Sequence, residues 1–156
     1  MPDISPMLWF DNQAEEAAAF YVSVFPNSRV IRTARRPAAA PGTPGDVMVV
    51  EFELDGKGYS ALNGGPMFKF NEAVSLVVAC KSQAEIDRYW DALTADGGAE
   101  SRCGWLKDRF GLSWQIVPEL IPQMMAEDPV RAGKAMAAVM TMRKLDLAAI
   151  EAAAAA

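Results

Sequence analysis

The chain has 156 residues, 51% of them hydrophobic, enough apolar material to bury a full core as one compact domain or two fused half-domains. Its net charge of −5 lacks the cationic surplus that neutralising phosphates requires, so no nucleic-acid partner is expected. It contains no histidine, which removes the commonest general acid–base and metal ligand, and with them any Ser-His-Asp or Cys-His arrangement within the chain.

Ile4 to Phe10 reads as a first strand. Asn12 is placed to cap a helix, with Glu15 three residues on to complete a capping box. Ala17, Phe20, Tyr21 and Val24 recur at i, i+3, i+4 and i+7, an amphipathic stripe that Pro26 and Asn27 stop. Arg29 to Ala34 is a second strand. Pro37 to Gly45 is rich in Pro, Ala and Gly and predicts a mobile loop that can serve as a lid. Val47 to Leu54 and Tyr59 to Asn63 are strands joined through Asp55-Gly56, a hairpin signal. Gly64-Gly65-Pro66 breaks the chain.

The same order then repeats. Val74 to Cys80 is a strand. Ser82 caps a helix with Glu85 at the boxed position, and Ile86, Tyr89, Trp90 and Leu93 repeat the stripe of the first half. After Gly97-Gly98, a short strand near Ser101 leads into Cys103 to Pro118, two strands joined by a tight turn in which Gly111 supplies a positive φ. In the last strand Leu112, Trp114 and Ile116 point one way, toward a core. Ser113, Gln115 and Val117 point the other, where polar Gln115 can line a cavity. The pattern is βαβββ twice, an internal duplication. It divides the chain into a first module (1–66), a second module (72–118) and a helical extension (119–156). In the extension, Asp128-Pro129 starts a helix with a stripe of Ala132, Ala135, Met136, Val139 and Met140, and Asp146 caps a last helix running into the alanine tail. A methionine stripe is core filler or a subunit contact.

No apolar run reaches membrane-span length and no leader peptide is evident at the N-terminus. The only two cysteines, Cys80 and Cys103, sit in strand-like apolar surroundings that fit reduced thiols, so a cytoplasmic location is expected with no membrane partner.

Trp9-Phe10-Asp11, Phe25-Pro26-Asn27-Ser28, Ala61-Leu62-Asn63-Gly64-Gly65-Pro66, Cys103-Gly104-Trp105-Leu106-Lys107-Asp108 and Gly111-Leu112-Ser113-Trp114-Gln115-Ile116-Val117-Pro118 together resemble the PhnB-like branch of the vicinal oxygen chelate superfamily. Many members carry the label 3-demethylubiquinone-9 3-methyltransferase. The resemblance implies an α+β fold, the glyoxalase/bleomycin resistance/dioxygenase fold: tandem βαβββ modules forming a cupped mixed sheet around a cavity, usually in a homodimer. Enzymes of the superfamily hold a metal on four inward side chains. By the resemblance these positions fall near Ser5, near Asn63 (within Tyr59 to Asn63), near Ser75 and at Gln115. Many relatives have histidine where this chain has Met67. Hydroxyls and amides alone hold a divalent transition ion weakly, so neither a metal nor another cofactor is expected.

The candidate cavity residues are Trp9, Asn63, Met67, Ser75, Trp105, Lys107 and Gln115. Gln115 is able to fix a ligand, or to bond a strand neighbour. Trp105 beside Lys107 suits an anionic or planar ligand, or is an ammonium stacked over an indole in solvent. Glu51 and Glu53 share a strand face, as an acid/base pair or as a solvated sheet surface. Cys103 reads as an inert thiol, since a nucleophile here needs Lys107 or Arg109 to lower its pKa. Gly56 to Ala61 is glycine-rich but leads into a strand, so it reads as a turn and not a nucleotide loop. The expected function is binding of an unidentified small organic ligand without a metal. The alternatives are a metal-dependent lyase, isomerase or dioxygenase, then the methyltransferase of the label.

Overall fold

Alternation in the strands and the helical stripes build two sheets, each backed by one helix. The computed structural model describes residues 1–156 in the order β1 (Met7–Phe10), α1 (Ala14–Val24), β2 (Arg29–Arg35), β3 (Val47–Leu54), β4 (Lys57–Asn63), β5 (Ser75–Cys80), α2 (Gln83–Thr94), β6 (Ala99–Glu100), β7 (Trp105–Lys107), β8 (Ser113–Pro118), α3 (Leu120–Glu127), α4 (Pro129–Val139) and α5 (Leu147–Ala155). The chain divides into two compact units, Met1–Lys69 and Phe70–Ala156. Their sheets have one topology, β1-β4-β3-β2 and β5-β8-β7-β6, with the first strand of each parallel to the last and the rest antiparallel. The duplication read in the sequence is therefore a duplication of strand order.

In the first unit, Leu8, Phe10, Val50, Phe52, Leu54 and Ala61 are buried, as are Ala17, Ala18 and Tyr21 of α1. Trp9, Val49, Glu51, Ser60 and Leu62 alternate onto the open face. Asp55 (φ 48) and Gly56 (φ 74) make the expected tight hairpin. The first strand starts at Met7 and not Ile4, and the expected helix cap is corrected too. Asn12 makes no cap, and Gln13 at the N-cap gives no side-chain bond. Instead Asn63 Oδ1, from the end of β4, accepts from Ala14 N at 2.8 Å, while Asn63 Nδ2 donates to Val47 O at 3.1 Å. The Pro-rich loop after β2 is wrapped around one side chain. Arg36 Nη1 donates to Pro41 O at 2.9 Å and its Nη2 to Asn63 O, while Arg36 N donates to Asp46 O at 2.7 Å.

In the second unit, α2 buries Ile86, Trp90 and Leu93, and the sheet buries Leu106, Trp114 and Ile116. The expected cap forms: Glu85 N donates to Ser82 Oγ at 3.2 Å, and Glu85 Oε2 accepts from Lys81 N at 2.9 Å. The β7–β8 hairpin closes around Asp108, a carboxylate only 2% exposed. Its Oδ1 accepts from Phe110 N at 2.9 Å and Leu112 N at 3.1 Å, and its Oδ2 from Trp114 Nε1 at 2.8 Å. Gly111 turns the chain there with φ 88. The extension contains a helix, α3, that the sequence reading did not place. Pro122 lies in its first turn, where the missing N–H has no intrahelical acceptor to lose. Asp128 and Asp146 cap α4 and α5 through Arg131 N at 3.1 Å and Ala149 N at 3.0 Å. Ile121, Met124, Ala135, Val139, Leu145 and Ile150 form the core of these helices, with Cys103 and Val117 packed against it.

Two stability measurements test this reading. Asp108→Asn sets an N–H2 group against donors that need an acceptor, and is expected to cost about 2–4 kcal/mol in urea unfolding. Asn63→Ala should cost about 1–2 kcal/mol and Asn12→Ala under about 0.5 kcal/mol; the reverse ranking would return the cap to Asn12.

Candidate functional site

The open face of the second sheet carries the chemistry. β8 sits between β5 and β7, with Ser75 opposite Ser113, Val77 opposite Gln115 and Trp105 opposite Gln115. Strand parity therefore brings Ser75, Trp105, Lys107 and Gln115 onto one face, four of the sequence-predicted residues. Gln115 Nε2 donates to Ser75 Oγ at 3.0 Å. That bond orients the amide and leaves its carbonyl oxygen without a partner in the chain. Both groups are half-buried.

Two cavities open from this face on either side of Trp105. One, of about 260 Å³, lies by Ser113, Ala99 and Lys107, where the Lys107 ammonium pairs with Glu72. The hydrogen bond from Lys107 holds the Glu72 carboxyl below its ordinary range. Lys107 is thus already charge-compensated and is not a free anion anchor. The other cavity, of about 290 Å³, is lined by Val77, Trp105, Gln115 and Val117 of the sheet and by Met125 and Met136 of the extension, among others. The methionines were missed as cavity residues. Met136 belongs to a helical stripe that signals only an apolar face, and Met125 lies on α3, which has no such stripe in the sequence; what either side chain meets is set by tertiary packing. Of the stripe, Ala135 and Val139 are core, Met136 lines the cavity and Met140 is 62% exposed.

The remaining predicted residues lie in the first unit. Trp9 is on the open face of its sheet; its Nε1 donates to Gly65 O at 2.9 Å and its ring meets Phe68 edge-on at 4.9 Å. A Cβ on Gly64 would collide with that indole, which is why the break after β4 needs glycine there. Met67 is 77% exposed. Asn63 is the clear departure from expectation: it shares parity with buried Ala61, on the helix side, and its amide is spent on backbone groups. Glu51 and Glu53 pair with Arg32 and Arg29 on a solvated face. The bond from Arg32 holds the Glu51 carboxyl below its usual range, so Glu51 is not poised as a general acid. A groove of about 600 Å³ by Ser5, Tyr59 and Ser60 runs along this surface.

The donor set does not fit a transition metal. Among Ser5, Asn63, Ser75 and Gln115 there is neither imidazole nor carboxylate, Asn63 points away, and Gln115 is bonded to Ser75. In neither unit do three His, Cys, Asp or Glu side chains gather as a metal-holding cluster. Both thiols are free. Burial pushes Cys80 up to about 12, which leaves almost no thiolate near neutrality.

With this geometry, comparison with known proteins defines the class first. Solved structures with the same fold include a genomically encoded fosfomycin resistance protein from Listeria monocytogenes, described in complex with Mn(II) and sulfate (12% identity, TM-score 0.55, 80% of this chain and 96% of that one). A glyoxalase-related enzyme from Fulvimarina pelagi is similar (14% identity, TM-score 0.51, 78% of this chain and 91% of that one). The fold is that of the glyoxalase/bleomycin resistance superfamily. Within it, residues 2–117 match the family described as 3-demethylubiquinone-9 3-methyltransferase. A PhnB protein from Bacillus cereus, which carries the same 3-demethylubiquinone-9 3-methyltransferase description, is 32% identical, with TM-score 0.67, over 74% of this chain and 99% of that one. The chain belongs to this PhnB-like family of the vicinal oxygen chelate superfamily. The methyltransferase name is a family label and assigns no reaction. No curated protein matches this chain. No helix is long and apolar enough to cross a membrane.

The raised Cys80 pKa has a direct chemical readout. Iodoacetamide at pH 8 should leave Cys80 unmodified in the folded protein and alkylate it once urea unfolds the chain, as read by peptide mass spectrometry. Labelling of Cys80 at equal rates in both states would contradict its burial.

Proposed function

We propose that this chain is a binding protein that holds a small organic molecule on the open face of its second sheet, without a metal. The reading rests on one observation: at Gln115 and near Ser75, where the resemblance implies two of the superfamily's metal-ligand positions, this unit has an amide hydrogen-bonded to a hydroxyl. Gln115 and Ser75 are neutral, and one end of the amide is left for a guest. Such a pair is a poor ligand set for a divalent ion and a good handle for an organic hydroxyl, amine or amide. Trp105, directly opposite Gln115, adds a flat apolar wall. Sites that combine an apolar lining with one or two placed polar groups are the common form of small-molecule pocket. A lyase, isomerase or dioxygenase mechanism through a metal lacks a donor set here, and no glycine-rich strand-to-helix turn offers a place for a nucleotide-like methyl donor.

Thermal-shift screening of the full chain tests this. Organic compounds are expected to raise Tm, while Mn(II), Zn(II), Ni(II), Fe(II) and S-adenosylmethionine leave it unchanged. Gln115→Leu should weaken a compound found this way about tenfold, the worth of one hydrogen bond of about 1.4 kcal/mol. Saturable stabilisation by one of the metals would overturn the metal-free reading, and stabilisation by S-adenosylmethionine would favour the methyl-transfer one.

A further inference from the structure

We propose that the C-terminal extension sets the ligand class, making the second unit's pocket a site for a small, uncharged, mainly apolar molecule. The inference rests on the small-molecule-binding reading above and adds to it what the ligand must be. The family match ends at residue 117, one residue before β8 ends. The helices that follow are the part of the chain the family does not prescribe, and they supply more than half of the wall of the 290 Å³ cavity: Ile121, Pro122, Met125, Met136 and Val139, with Leu145 from the turn before α5.

The wall contains no charged side chain. Facing the extension are Val77, Trp105, Gln115 and Val117 from the sheet, with Cys103 at the edge. An ionised ligand seated there would give up hydration with no counter-charge, which costs several kcal/mol. A neutral ring loses little, stacks on Trp105, and finds thioethers that adapt to its outline. The volume is near the lower end of the roughly 300–1,000 Å³ typical of ligand pockets, so the guest is small. Lys107, on the same sheet face as Trp105, is engaged by Glu72 and lines the other cavity, and Lys144, next to Leu145, is engaged by Asp87.

The wall is fastened in place. Gln83, in the first turn of α2, clasps the extension with both ends of its amide: Nε2 donates to Leu145 O at 3.0 Å and Oε1 accepts from Leu147 N at 2.8 Å. Cys103 N and Gly104 N donate to Met142 O and Arg143 O at 2.9 and 2.8 Å. Lys144 pairs with Asp87 at 2.9 Å. A pocket wall held this way is organised before a ligand arrives, so little ordering cost falls on binding.

Two fluorescent probes of similar shape separate charge from apolarity: uncharged N-phenyl-1-naphthylamine and anionic 1-anilinonaphthalene-8-sulfonate, each titrated into the full chain. The uncharged probe is expected to bind saturably at one site, at least about tenfold tighter than the sulfonate. Met136→Glu and Met125→Lys should each weaken it at least about tenfold, and Met140→Glu, at an exposed position at the end of α4, should not. Met125 is 57% exposed, so the Met125→Lys variant carries the test if Met136→Glu fails to fold by circular dichroism. Equal affinity for the two probes, or binding unchanged by the substitutions at 125 and 136, overturns the inference. If charged compounds stabilise the protein and the neutral probe does not bind, only the ligand class is wrong. If neither probe binds and no organic compound shifts Tm, the binding reading itself is wrong.

Discussion

The geometry of the second unit hangs on one buried carboxylate. Asp108 takes two backbone N–H groups of its own turn and the indole N–H of Trp114. A buried carboxyl group is expensive unless its oxygens find donors, and here three donors reach them. The consequence is register. With the turn closed at Gly111 and Trp114 pinned inward, Gln115 must point to the opposite face, and β7 aligns so that Trp105 lies beside it. A slip of one residue would bury Gln115 and expose Trp114. The positions of Gln115, of Trp105 beside it and of the cavity they line thus follow from a side chain buried on the other face of the sheet.

The duplicated halves have diverged by what covers their open faces. In the first unit that face is solvated and carries Arg29–Glu53 and Arg32–Glu51 pairs, with side chains 72% and 75% exposed on the arginine side. Exposed pairs of this kind add little stability and leave no dry space. In the second unit the extension packs against Val117 and Cys103 and shuts part of the face away from water. The same strand order therefore yields a wet surface in one half and an apolar pocket in the other.

Much of this was legible in the residues. Period-2 alternation in β8 placed Trp114 and Ile116 in the core and Gln115 outside it, and the stripe Ile86, Tyr89, Trp90, Leu93 is buried in full. Local caps such as Ser82–Glu85 were legible because both partners lie within one turn. Asn63 was not, since its partner Ala14 is 49 positions away and a long-range cap has no sequence signature. Parity within β4 did carry a hint: if Ala61 is buried, Asn63 shares its side. The loop after β2 looked mobile because its composition shows no periodicity, yet Arg36 gathers it by bonds to carbonyls, which any sequence offers. The role of Met136 was hidden because an apolar helix face does not name its partner, and that of Met125 because α3 itself carried no recognised signal.

The most direct test of the central claim is to follow the side-chain signals of Gln115 and Trp105 by 1H–15N NMR while an uncharged organic ligand is added to metal-free protein. The Gln115 amide and the Trp105 indole N–H are expected to shift together and saturate with no metal present. Shifts confined to the first unit, or appearing only after a divalent ion is added, would contradict that claim.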